Sequence, residues 1–165
     1  LAYLNKLFGK FLSSTTMYKE SGPVIETPLS AAQSIHDMLL QSWWGKIRIF
    51  PAIPATWKDI AYSGLRTEGA FKVSASRKQG KTQFIHIKSL AGEPCIVTTD
   101  IVNPIFEGKR NFTIQSFPNN TFQIDLKKGE EVFISPQGEK PDFIISPIPH
   151  TSKNHYGLKI IHQRR

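Results

Sequence analysis

Leu1, Leu4, Phe8 and Phe11 recur at intervals of three and four, with Leu7 and Leu12 beside them and Asn5, Lys6 and Lys10 on or near the opposite side. That spacing predicts an amphipathic helix over Leu1–Thr16, ended by the hydroxyl run Ser13–Thr16. Ser21-Gly22-Pro23 marks a turn. A second stripe follows at Leu29, Ala32, His36, Leu39, Leu40 and Trp43. Thr27 suits the N-cap of this helix, Pro28 its first position, and Gly45 its stop.

From Lys46 the period falls from three and four to two. Ile47 and Ile49 alternate with Lys46 and Arg48, and Pro51 and Pro54 bracket a bend. Short strands are expected near 60–66, 70–77, 82–90, 94–100, 112–117, 121–125, 131–135 and 143–145. Gln79-Gly80, Ala91-Gly92, Asn119-Asn120 and Lys128-Gly129 lie between them as turns. The clearest hairpin joins Ala70–Arg77 to Thr82–Leu90, with Phe71, Val73 and Ala75 alternating against Lys72, Ser74 and Ser76. Strands at this spacing predict a mainly β fold: an antiparallel β-sandwich preceded by two helices. The polar tail His150–Arg165 carries Tyr156, Leu158, Ile160 and Ile161, enough for a last edge strand.

Composition changes this picture little. A chain of 165 residues can bury one core of ordinary size. The net charge of +8 permits contact with nucleic acid. The cations are spread along the chain, however, and no aromatic-basic RNA-binding signature appears, so solvated strand faces account for them. The single cysteine, Cys95, sits in the apolar run Pro94–Val97 and reads as a buried small hydrophobe. One cysteine supports neither a disulfide nor a structural zinc cluster, and no metal or cofactor is expected. No apolar run approaches the roughly 18 residues a spanning helix needs. Asn111-Phe112-Thr113 and Asn119-Asn120-Thr121 fit the N-glycosylation acceptor pattern, and the second also reads as a turn. The start at Leu1, inside a helical pattern, suggests that a natural beginning has been cut away.

One ordered set of residues carries more information than any single motif. Leu39-Leu40-Gln41-Ser42 precedes a turn, a strand ending in Pro51-Ala52-Ile53-Pro54, then Trp57, then Gly64-Leu65-Arg66 with Gly69 and Phe71. This order resembles the C-terminal end of the glycoside hydrolases of family 95, over roughly Ile25–Thr99. The resemblance implies that residues 1–45 are the last helices of an (α/α)6 catalytic barrel and 46–165 the C-terminal sandwich. It also implies hydrolysis of terminal α-L-fucosides or α-L-galactosides with inversion by a longer parent, in the periplasm or outside the cell. The expected partners are a glycan and the N-terminal catalytic barrel of the same protein. The alternative from a different class is a free-standing carbohydrate-binding sandwich.

Inversion needs two polar groups about 6.5–9.5 Å apart across the anomeric carbon. In the family the acid is a Glu earlier in the barrel, and water is activated by asparagines supported by an Asp in a motif like IDGNFG. The matching stretch is Ile25-Glu26-Thr27-Pro28-Leu29-Ser30. Glu26 therefore stands at the Asp position and Pro28 at that of an Asn, while two glycines are gone. Glu26 is longer by one methylene. It also lies beside a predicted helix N-terminus, where the dipole favours an anion and so a base. Its bland alternative is a helix-entry carboxylate without chemistry. His36 can reach toward a sugar or sit in the core as a hydrogen-bonded histidine. Trp43 and Trp44 can stack on a pyranose or pack helix against sandwich. Trp57 reads as core.

Overall fold

The computed structural model describes residues 1–12, 17–19, 23–92, 94–139 and 141–146. The tail expected as an edge strand, His150–Arg165, lies outside them. The elements run α1 (Ala2–Phe11), β1 (Tyr18–Lys19), β2 (Pro23–Val24), α2 (Glu26–Leu39), β3 (Leu40–Gln41), a 3-10 turn (Trp43–Gly45) and β4 (Ile47–Ile49). Then come β5 (Ile60–Thr67), β6 (Phe71–Lys78), β7 (Lys81–Ser89), β8 (Cys95–Thr98), β9 (Pro104–Gly108), β10 (Ile114–Phe117), β11 (Thr121–Ile124) and β12 (Glu131–Pro136). Two compact units divide the chain, one holding Leu1–His36 and the other beginning at Asp37 and carrying both large sheets.

In the first unit α1 buries Phe8 and half-buries Leu4 and Phe11, as its period requires. Lys6 and Lys10 stay exposed. Tyr18 bridges Leu12, and its ring lies 5.3 Å from that of Phe11. The buried stripe of α2 differs from the expected one. Ala31 is buried, and Pro28, Ile35 and Met38 are half-buried, whereas Leu29 is 61% exposed and Ala32 is exposed. Both stripes have helical spacing one residue apart, and the observed one gathers Ile35 and Met38.

The helix also starts and stops earlier than its punctuation suggests. The first intrahelical bond runs from Leu29 N–H to the Ile25 carbonyl, so Glu26 is the first helical residue and Thr27 is not the cap. Pro28 fits within the first turn because N–H groups there have no helical partner. At the other end Leu40 and Gln41 pair with Ile49 and Arg48, and this ladder ends the helix five residues short of Gly45.

The second unit is a sandwich of two five-stranded sheets. One runs β10-β11-β8-β4-β3 and the other β5-β6-β7-β12-β9. Every pair is antiparallel except β4 with β8, where Ile47 faces Val97 and Arg48 faces Thr98. Inward residues from both sheets form one core, including Leu40, Ile47, Val97 and Ile124 from the first and Val73, Ile85, Val132 and Ile134 from the second. Cys95 is fully buried in it, which pushes the thiol up to about 12, as expected of a small hydrophobe.

Turn chemistry sets the registers. Gln79 and Gly80 both hold positive φ in the two-residue β6–β7 hairpin, the geometry that matches strand twist. Asn119 and Asn120 do so between β10 and β11, and the Asn120 amide donates to the Thr99 and Ile101 carbonyls at 2.7 Å. Two expectations fail. Pro104–Gly108 is a strand that pairs with β12, although its residues 105–107 lack clean alternation. Phe143–Ile145 is not a strand. The Phe143 ring, itself on the surface, instead lies 5.4 Å from Phe84 and 4.6 Å from Phe133, so ring contacts stand in place of a ladder.

Candidate functional site

Glu26 opens α2 as an exposed side chain. Its carboxylate folds back to accept the Ile25 backbone N–H at 3.1 Å, and it has no ion pair among the described residues. His36, ten residues on, is half-buried, and its Nδ1 is buried without a hydrogen-bond partner among the described residues. The hydrogen-bonded core histidine is therefore not what forms. Ten residues of helix separate the two side chains by roughly 15 Å along the axis, too far for one group to orient the other directly.

Trp43 and Trp44 do come together. Their ring centroids lie 4.7 Å apart at 74°, an edge-to-face pair. Trp43 is held by two further partners. Its indole N–H donates to Gln41 Oε1 at 3.1 Å, and the Arg48 guanidinium lies 3.8 Å from the ring centroid. Arg48 Nη1 in turn donates to the Trp43 and Lys46 carbonyls at 3.0 and 3.1 Å. Trp44 has φ 58° and ψ 40°, the left-handed region, which costs a residue with a Cβ about 1–2 kcal/mol. Trp44 is 88% exposed and Trp43 45%, so the pair is not the buried packing element that was one of its two readings. Arg48 escaped notice because it reads as the polar half of a strand alternation. The only signal was its place five residues after Trp43.

The ordered motif residues play structural parts. Leu40 is buried in the core, and Leu39, Trp57 and Leu65 pack against it. Ser42 Oγ accepts the Glu68 N–H at 3.0 Å, tying the strand edge of one sheet to the β5–β6 turn of the other. Gly64 sits at φ 68° in a bulge of β5, and its N–H donates to Ser74 Oγ at 2.9 Å. At Gly69, φ 75°, a Cβ would come within 2.7 Å of the Phe71 ring. What the motif spells is the seam between the sheets.

That seam is where the comparison with known proteins falls. The family model of the glycoside hydrolase family 95 C-terminal domain matches residues 41–134, more than half the chain. The chain belongs to the glycoside hydrolase family 95 C-terminal domain family. The match begins on Gln41 in β3 and ends on Ile134 in β12, so it takes in both sheets of the sandwich. No curated protein matches the chain.

An open cleft of about 400 Å³ on the sandwich unit is lined among others by Lys81, Thr82, Gln83, Asp100, Val102 and Glu139. Asp100 there pairs with Arg77, which also donates to Thr82 Oγ1 at 3.3 Å. None of Glu26, His36, Trp43 and Trp44 lines it. Among the described residues no group of three or more His, Cys, Asp or Glu side chains is placed to hold a metal, and no helix is long and apolar enough to cross a membrane.

Proposed function

We propose that the chain is the C-terminal part of an inverting glycoside hydrolase that removes terminal α-L-fucose or α-L-galactose. Its sandwich serves as accessory domain to the catalytic barrel, in the periplasm or outside the cell. The observation that carries this reading is the family match across both sheets of the sandwich, from Gln41 to Ile134. In this reading Glu26 supports the attacking water from the helix start. Its exposed carboxylate has no ion pair among the described residues to hold it in a structural role. His36, Trp43 and Trp44 are the proposed glycan contacts. The catalytic acid belongs to the barrel that precedes this region in the family.

The test is the longer protein that contains this chain, assayed on aryl α-L-fucoside and α-L-galactoside with Glu26 and with Glu26→Gln. Loss of the base should lower kcat by about 10²-fold or more. An active enzyme that tolerates Glu26→Gln removes Glu26 from the mechanism and leaves the substrate assignment intact. An enzyme inactive on both substrates overturns that assignment. A second reading, a carbohydrate-binding sandwich without catalysis, draws on the exposed tryptophan pair.

A further inference from the structure

Trp44 is the large apolar side chain of the sandwich unit with the greatest exposure among the described residues, at 88%, and nothing about its setting is loose. Its backbone is held in the left-handed region, and so is that of Gly45 after it. Its ring is buttressed edge-to-face by Trp43, which is itself pinned by Gln41 and Arg48. An aromatic fixed in a strained backbone conformation and left facing water is a feature that function, not folding, explains.

We propose that Trp44 and Arg48 form a pyranose-binding platform on the sandwich, with Trp43 as its positioning residue. The inference deepens the glycan contact assigned above to this pair. It does not depend on the hydrolase reading, since it needs no catalytic carboxylate. A pyranose ring has C–H groups on one face and hydroxyls around its edge. The free ring of Trp44 meets the first. The second need hydrogen-bonding groups close by, and donors are present. The Trp44 indole N–H and the Arg48 Nε and Nη2 groups have no hydrogen-bond partner among the described residues. The backbone of Glu68 is tied to Ser42, two residues before Trp44, by its N–H. The space is open as well, because a Cβ on Gly45 would meet nothing within 4 Å.

The surroundings favour a sugar over a protein partner. In sequence the pair is flanked by the polar Gln41, Ser42, Lys46 and Arg48, and Val102, at 75%, is the next most exposed large hydrophobic of the unit among the described residues. Protein interfaces bury a contiguous patch of roughly 800 Å² on each side around an apolar centre. A two-ring island set among Gln41, Lys46 and Arg48 is suited instead to a small ligand with one apolar face.

The experiment is saturation-transfer NMR on the whole 165-residue chain with lactose and with fucosylated lactose as probes. Trp44→Asn is the informative variant, since Asn tolerates the left-handed backbone and removes only the ring. The wild-type chain should transfer saturation to C–H protons on one face of a sugar ring, with about tenfold weaker binding in Trp44→Asn. Transfer to fucosylated lactose alone would assign the platform to the terminal fucose, and transfer to both would assign it to the galactose ring. No transfer to either sugar, or equal binding by Trp44→Asn, overturns the proposal. Self-association of the chain that disappears in Trp44→Asn without any sugar binding overturns it too, and marks the pair as a protein contact.

Discussion

Gly69 holds φ 75°, and the nearest atom to an added Cβ there is a ring carbon of Phe71, itself 3% exposed in the core. Gly69→Ala must therefore adopt a left-handed conformation and displace a packed aromatic together. It should lower unfolding free energy by at least about 1–2 kcal/mol, read from urea midpoints. Unchanged midpoints would show that the β5–β6 turn can rearrange. Other single-residue roles were legible only in part. Phe71, Val73, Ala75 and Cys95 went where their alternation and neighbours put them. The left-handed backbone of Trp44 and Phe50 was not legible, because neither residue type favours it and no glycine or asparagine marks either position.

Between elements, Arg110 after β9 clasps Glu130 before β12 through two bonds of 2.7 and 2.8 Å. The Lys127 N–H adds a third bond to the same carboxylate at 2.8 Å. Arg110 foremost, then that backbone N–H, brings the Glu130 carboxyl down to about 2. The neighbouring Glu131 is also lowered, chiefly by Lys88 and then by His86, against the opposing effect of its burial. A carboxyl whose folded value lies below its unfolded one stabilises the fold fully above the unfolded value, about 4.3. That stabilisation is lost as pH falls through the folded value. Stability should thus decline between about pH 5 and about pH 2, and Glu130→Gln should be less stable at neutral pH with a shallower decline. A variant with the wild-type acid slope would show that the clasp is not coupled to folding. At this scale seven of the expected strands were readable because each is bounded by a turn signal. Residues 104–108 were not, since a short edge strand with one paired side needs no clean alternation. The end of α2 was hidden because Leu40 satisfies a helical stripe and a strand pair equally well.

For the whole molecule, the sandwich was legible from period and spacing, and the family from the ordered set between Leu39 and Phe71. The candidate site was not legible in the same way. The family motif records which residues close two sheets on one core, and it says nothing of which surface meets a sugar. Glu26 and His36 lie outside the matched residues 41–134, and Trp44 becomes conspicuous only once its exposure is seen. The central proposal is that this chain is an accessory piece whose chemistry resides in a longer protein. The most direct measurement follows release of sugar from aryl α-L-fucoside by proton NMR, comparing the 165-residue chain with the longer protein at equal concentration. The account predicts no turnover by the chain, and turnover by the longer protein with the inverted β-anomer appearing first. Turnover by the purified chain alone, abolished in Glu26→Gln, would contradict it.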